Sequence, residues 1–122
     1  MSAHTIYLFA TTNNPSPPYM SQDGGATWSN TDDADFTTEV DAGDTVQWRF
    51  DLNMNGQTNN ISAINSISPT TYFKPSKSPN ASNQFTGTIN SGNPPNGVQP
   101  YTIRYNVTGA GPQSQDPKIQ MK

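Results

Sequence analysis

Val40-Asp41-Ala42-Gly43-Asp44-Thr45-Val46-Gln47-Trp48-Arg49-Phe50 decides the fold. Asp-Ala-Gly-Asp has the composition of a tight turn. Beyond it, apolar and polar residues alternate with period two, the signature of a half-buried strand. Val46, Trp48 and Phe50 are expected to face a core, and Thr45, Gln47 and Arg49 to face away. The pattern returns late in the chain, where Tyr101, Ile103, Tyr105 and Val107 alternate with Thr102, Arg104 and Asn106. Two such strands about fifty residues apart, with turn residues between them, predict an all-β, antiparallel β-sandwich.

Other segments fill out that frame. His4–Ala10 reads as a strand apolar enough to be buried on both faces, and Tyr19–Asn30 as a hairpin. Phe36–Val40, Thr45–Asp51, Ile61–Ile67, Phe85–Ile89 and Lys118–Met121 supply further strands. Thr11–Pro18, Thr31–Asp35, Leu52–Asn60, Ser91–Gln99 and Gly109–Asp116 read as loops. Pro69–Ser82 contains three prolines, so it is irregular or an edge. No window has the 3.6-residue period of a helix. Eight or nine strands are expected, in one sandwich domain over residues 1–122.

Composition sets limits on function. Hydrophobic residues are 30% of the 122, so the core is thin and leans on aromatics. The Asn, Ser and Thr content, about a third of the chain, is high enough to suggest disorder. The placement of the aromatics inside alternating segments argues otherwise. With no cysteine there is no disulfide and no thiolate metal site. A net charge of −3 argues against nucleic acid as a partner. No apolar run is long enough to insert in a membrane. No signal peptide is recognisable, so the protein is expected to be cytoplasmic or exported with its signal removed.

The charges are unevenly spread. Eight of the nine acidic residues lie at or before Asp51, and five of the six basic residues lie after it. Either the two halves interleave in space, or the molecule is dipolar and stacks head to tail.

Ser21-Gln22-Asp23-Gly24-Gly25-Ala26-Thr27-Trp28 resembles the Asp-box of sialidases and other β-propellers. The resemblance implies a structural hairpin: Ser21, Asp23, Gly25, Thr27 and Trp28 build the turn, Asp23 accepts backbone N–H groups, and Trp28 packs beneath. Propellers carry several copies over several hundred residues. A single copy in this chain implies a hairpin and no sialidase activity.

The strand after Gly43 resembles that of cupredoxin-like sandwiches, so the sandwich is expected to be cupredoxin-like or immunoglobulin-like. A copper site needs Cys and two His, whereas His4 stands alone here. Gly43-Asp44-Thr45-Val46-Gln47-Trp48-Arg49, together with Tyr101–Val107 and Asp116-Pro117-Lys118-Ile119, also resembles the bacterial AidA/PixA inclusion-body family. Gln115 stands where that family has Trp. This resemblance implies a non-enzymatic sandwich prone to assembly.

Two sets of residues are candidates for binding. Asp32, Asp33 and Asp35 offer hard oxygen ligands for calcium, without EF-hand spacing. Tyr72 and Phe73, in the proline-rich segment, are the candidate sugar-stacking aromatics. No base other than His4 is available for a Ser-His-Asp set, so the protein is not expected to be an enzyme. The leading expectation is a non-catalytic structural or self-assembling protein whose main partner is itself. The alternative is a carbohydrate-binding module, assisted by calcium or without a cofactor. Low charge, 12% of residues, removes a usual deterrent to strand pairing between copies.

Overall fold

At the Asp41–Asp44 turn, Gly43 takes a φ of 86° and the Asp44 N–H donates to the Asp41 carbonyl at 3.1 Å. The chain then enters a strand whose buried residues are Val46 and Trp48. The computed structural model describes residues 2–29, 36–54, 56–68, 72–73 and 84–122. The fold is all-β, with no helix among the described residues. Its strands are β1 (Ala3–Phe9), β2 (Tyr19–Ser21), β3 (Thr37–Val40), β4 (Thr45–Arg49) and β5 (Ile61–Ser68). They continue with β6 (Gln84–Thr88), β7 (Val98–Pro100), β8 (Thr102–Val107), β9 (Gly111–Gln115) and β10 (Lys118–Met121).

These strands form three sheets, ordered β2-β1-β4-β6, β3-β10-β7 and β5-β8-β9. Pairing is mostly antiparallel, as expected of the sandwich. Two pairs are parallel: β1 beside β4, with Ile6 opposite Trp48, and β3 beside β10, with Thr38 opposite Ile119. Alternation along one strand fixes which side chains point inward, but not the direction of the neighbouring strand.

Gly111-Pro112-Gln113-Ser114-Gln115 reads as loop in sequence and folds as β9. The reason is local. Gly109 and Gly111 take φ near 80°, and the Ala110 N–H donates to the Val107 carbonyl at 3.0 Å. This turn lays β9 back on β8, with Gln113 opposite Tyr105. As an edge strand, β9 needs no apolar stripe and tolerates Pro112.

The sheets share one core. Ile6, Leu8, Val46, Trp48, Ile103, Tyr105 and Ile119 are all buried in it. The Trp48 and Tyr101 rings meet edge-on with centroids 5.6 Å apart, and the Trp48 indole N–H donates to the Tyr101 hydroxyl at 3.2 Å. Phe73 packs on Trp48 at the same spacing. Gly87 leaves room for that phenyl ring, since a Cβ there would sit 2.5 Å from Phe73 Cδ1. Gly87→Ala is therefore expected to cost about 1–3 kcal/mol by overpacking. A thermal melt checks this; an unchanged midpoint would mean that the ring moves aside freely.

Asn59 ties three segments together. Its Nδ2 donates to the carbonyls of Leu8, Phe50 and Leu52 at 2.7, 2.9 and 3.1 Å. Its Oδ1 accepts from the N–H groups of Ala10 and Ile61. The Asn- and Gly-rich stretch before β5 is thus fastened to β1 and to the end of β4.

The two halves of the sequence interleave in the second sheet, where β3 of the first half lies against β10 of the second. The third sheet comes wholly from the second half.

Candidate functional site

Four regions bear on function, and the hairpin after β2 is the first. Met20 and Ser29 exchange backbone hydrogen bonds of 3.0 and 2.8 Å. Inside the turn, Asp23 accepts from the Thr27 hydroxyl at 2.5 Å, the Thr27 N–H at 3.0 Å and the Ser21 hydroxyl at 2.7 Å. These bonds, led by those from Thr27, hold the Asp23 carboxyl down at about 2. The Ser21 oxygen also accepts from the Gly25 N–H at 2.9 Å. Gly24 and Gly25 have φ of 73° and 91°, in the region that favours glycine. Trp28 is half-buried and meets the edge of Phe9, with centroids 6.2 Å apart. Ser21, Asp23 and Thr27 spend their side-chain bonds within the turn, while Gln22 Nε2 reaches out to the Thr37 carbonyl at 3.1 Å.

The second region is built on Asp44. Its carboxylate is only 3% exposed and lies 2.8 Å from His4 Nε2. It also accepts the Ser2 N–H at 2.7 Å and the Asp41 N–H at 2.9 Å. Burial pushes this carboxyl up, but the bonds from Asp41, His4 and Ser2 outweigh burial and bring it to about 2. The sequence assigns Asp44 to a turn and His4 to the start of a strand. The structure joins them across 40 residues into a clamp that fixes the start of β1 on the turn before β4. No local signal announces such a contact.

The candidate aromatics form the third region. Phe73 is 5% exposed and committed to the core against Trp48, so it has no free face for a sugar. That corrects its reading as a stacking residue. An aromatic in a proline-rich segment looked exposed by context, yet it seals the core beside Gly87. Tyr72 is half-buried, and its backbone is fastened by Gln99 Oε1, the Asn90 N–H and Asn93 Nδ2 at 2.8–3.0 Å. The candidate calcium ligands Asp32, Asp33 and Asp35 lie outside the described residues. Among the described residues, no three His, Asp or Glu side chains are grouped to hold a metal ion.

The fourth region is the second sheet. There β10 lies between β3 and β7 and is hydrogen-bonded on both sides. Lys118 and Lys122 N–H groups donate to the Phe36 and Val40 carbonyls at 2.8 and 3.0 Å on one side. The Met121 N–H donates to the Gly97 carbonyl at 2.8 Å on the other. Ile119 and Met121 are buried in the core. Only Asp116 and Pro117 separate β10 from β9, which belongs to the third sheet. Beside it, Val98 on β7 is 46% exposed, the one large hydrophobic side chain left open among the described residues.

The chain matches no model of a known protein family, and no curated protein matches it in sequence.

Proposed function

We propose that the protein is a non-catalytic, self-assembling β-sandwich whose copies join by exchanging β10. The observation that carries this reading is the place of β10 in the second sheet. It fills a slot between two short strands, and a two-residue connection brings it there from another sheet. A β10 from a neighbouring copy makes the same backbone bonds to β3 and β7 and buries the same Ile119 and Met121. Exchange alters only the path at Asp116 and Pro117, so it costs little in contacts. Low surface charge weakens the repulsion that keeps copies apart. The resemblance of Gly43–Arg49 and Asp116–Ile119 to the AidA/PixA inclusion-body family points the same way.

Thr37 and Lys118 are register partners across β3 and β10, and the chain has no other cysteine to interfere. In the double variant Thr37→Cys/Lys118→Cys, exchange is expected to give disulfide-linked multimers after oxidation. A product that runs entirely as monomer on a non-reducing gel would contradict strand exchange.

A further inference from the structure

The outward face of the third sheet holds a groove of about 340 Å³, lined by Ser16, Asn65, Arg104, Pro112, Gln113 and Ser114. Its size falls in the range of small-ligand sites, roughly 300–1,000 Å³. Arg104 sits on β8 between Ile103 and Tyr105, which point into the core, so its side chain points out. It is the only charged residue in the three strands of that sheet. No carboxylate among the described residues lies within ion-pair distance of it. Asp116, beyond the end of β9, accepts from the Thr102 hydroxyl at 2.8 Å.

The groove has a fixed frame. The Tyr105 hydroxyl donates to the Pro15 carbonyl at 2.7 Å, which fastens the Ser16 segment to β8. Asn65 Nδ2 donates to Asn106 Oδ1 at 3.0 Å, so the Asn65 carbonyl oxygen remains as an acceptor. Gln113 is the register partner of Tyr105, so its side chain leaves β9 on the inner face, where its Nε2 donates to the Ala110 carbonyl at 3.4 Å. On the outward face the groove therefore offers a planar cationic fork, the Asn65 amide oxygen and the Ser114 hydroxyl. The fork matches a carboxylate bidentately. The neutral groups match hydroxyls spaced around a ring. Pro112 is the one apolar side chain present, so the groove has no pocket for the apolar side chains of a peptide.

We propose that this groove binds a carboxylated saccharide. Arg104 takes the carboxylate, and Asn65 and Ser114 take the ring hydroxyls. This site does not rest on the assembly reading, because it uses the third sheet rather than β10.

The test is isothermal titration calorimetry of the full chain at low ionic strength with trigalacturonate. A neutral galactose trisaccharide and a short acidic peptide serve as comparisons. Trigalacturonate is expected to bind, and both comparisons to bind at least about tenfold more weakly. Arg104→Gln is expected to lose at least about tenfold in affinity while melting like the parent, because Arg104 is exposed. Arg104→Lys, which keeps the charge and loses the fork, is expected to fall between them. The proposal is overturned if trigalacturonate gives no heat of binding, or if Arg104→Gln binds it as the parent does. Equal binding of the acidic peptide would also overturn it, by showing a general anion site.

Discussion

Trp48→Ala is expected to remove about 3–5 kcal/mol of stability, the range for emptying a large aromatic from a core. The whole margin of a domain this size is about 5–15 kcal/mol. Trp48 is fully buried, meets Phe73 and Tyr101 edge-on, and gives its indole N–H to the Tyr101 hydroxyl. It also sits where β4 pairs with both β1 and β6, opposite Ile6 and Phe85. A cavity there touches the first sheet and the aromatic cluster together. Urea denaturation followed by near-ultraviolet circular dichroism checks this. The expected result is a midpoint shifted far down, or no cooperative transition at all. A loss under about 1 kcal/mol would mean that the core closes around the gap, against its close packing.

Asp44→Asn is the second large effect, and it depends on pH. In the parent, Asp44 Oδ1 faces the Ser2 N–H, while Oδ2 faces His4 and the Asp41 N–H. An asparagine turns one of these acceptors into an NH2 group pointing at a donor. At neutral pH the loss is expected to be about 2–4 kcal/mol, since charge-assisted bonds to a buried group are broken.

The sign with pH follows from the folded carboxyl lying at about 2 against an ordinary 3.8. A carboxyl lowered by folding stabilises the folded state above its ordinary value. That contribution disappears as pH falls through the folded value. The gap between parent and Asp44→Asn is therefore expected to be full above pH 4 and to narrow as pH falls toward 2. Denaturation midpoints of both proteins across that range test it. A gap independent of pH would show that the Asp44 charge contributes nothing.

The sequence reveals those parts of the fold that alternation encodes. The β4 pattern of Val46 and Trp48 appears in the structure as written, and Ile103, Tyr105 and Val107 of β8 are buried as their spacing implies. Lys118–Met121 forms a strand with the expected ends. What alternation does not encode is pairing direction and pairing at edges. The parallel contacts of β1 with β4 and β3 with β10 depend on how distant segments cross. β9 depends on the glycine turn that precedes it rather than on its own polar residues.

The sites were harder to read for the same reason. Turn chemistry explains Asp44 locally, so nothing in its neighbourhood hints at His4. Context placed Phe73 outside, although its ring is needed inside. Arg104 reads as an ordinary polar residue of an alternating strand. Only the assembled third sheet shows that its charge stands alone among neutral groups. A signal was present in the chain, since no other charge falls within the segments that become β5, β8 and β9, but it has meaning only once those three are neighbours.

The central claim, assembly of copies through β10, is tested most directly by the mass of the pure protein in solution. Size-exclusion chromatography with light scattering, over a range of concentration and salt, gives that mass. The account predicts species heavier than the 13.2 kDa chain, growing with concentration and resolved as ordered particles by negative-stain microscopy. A mass equal to one chain under all these conditions would contradict it.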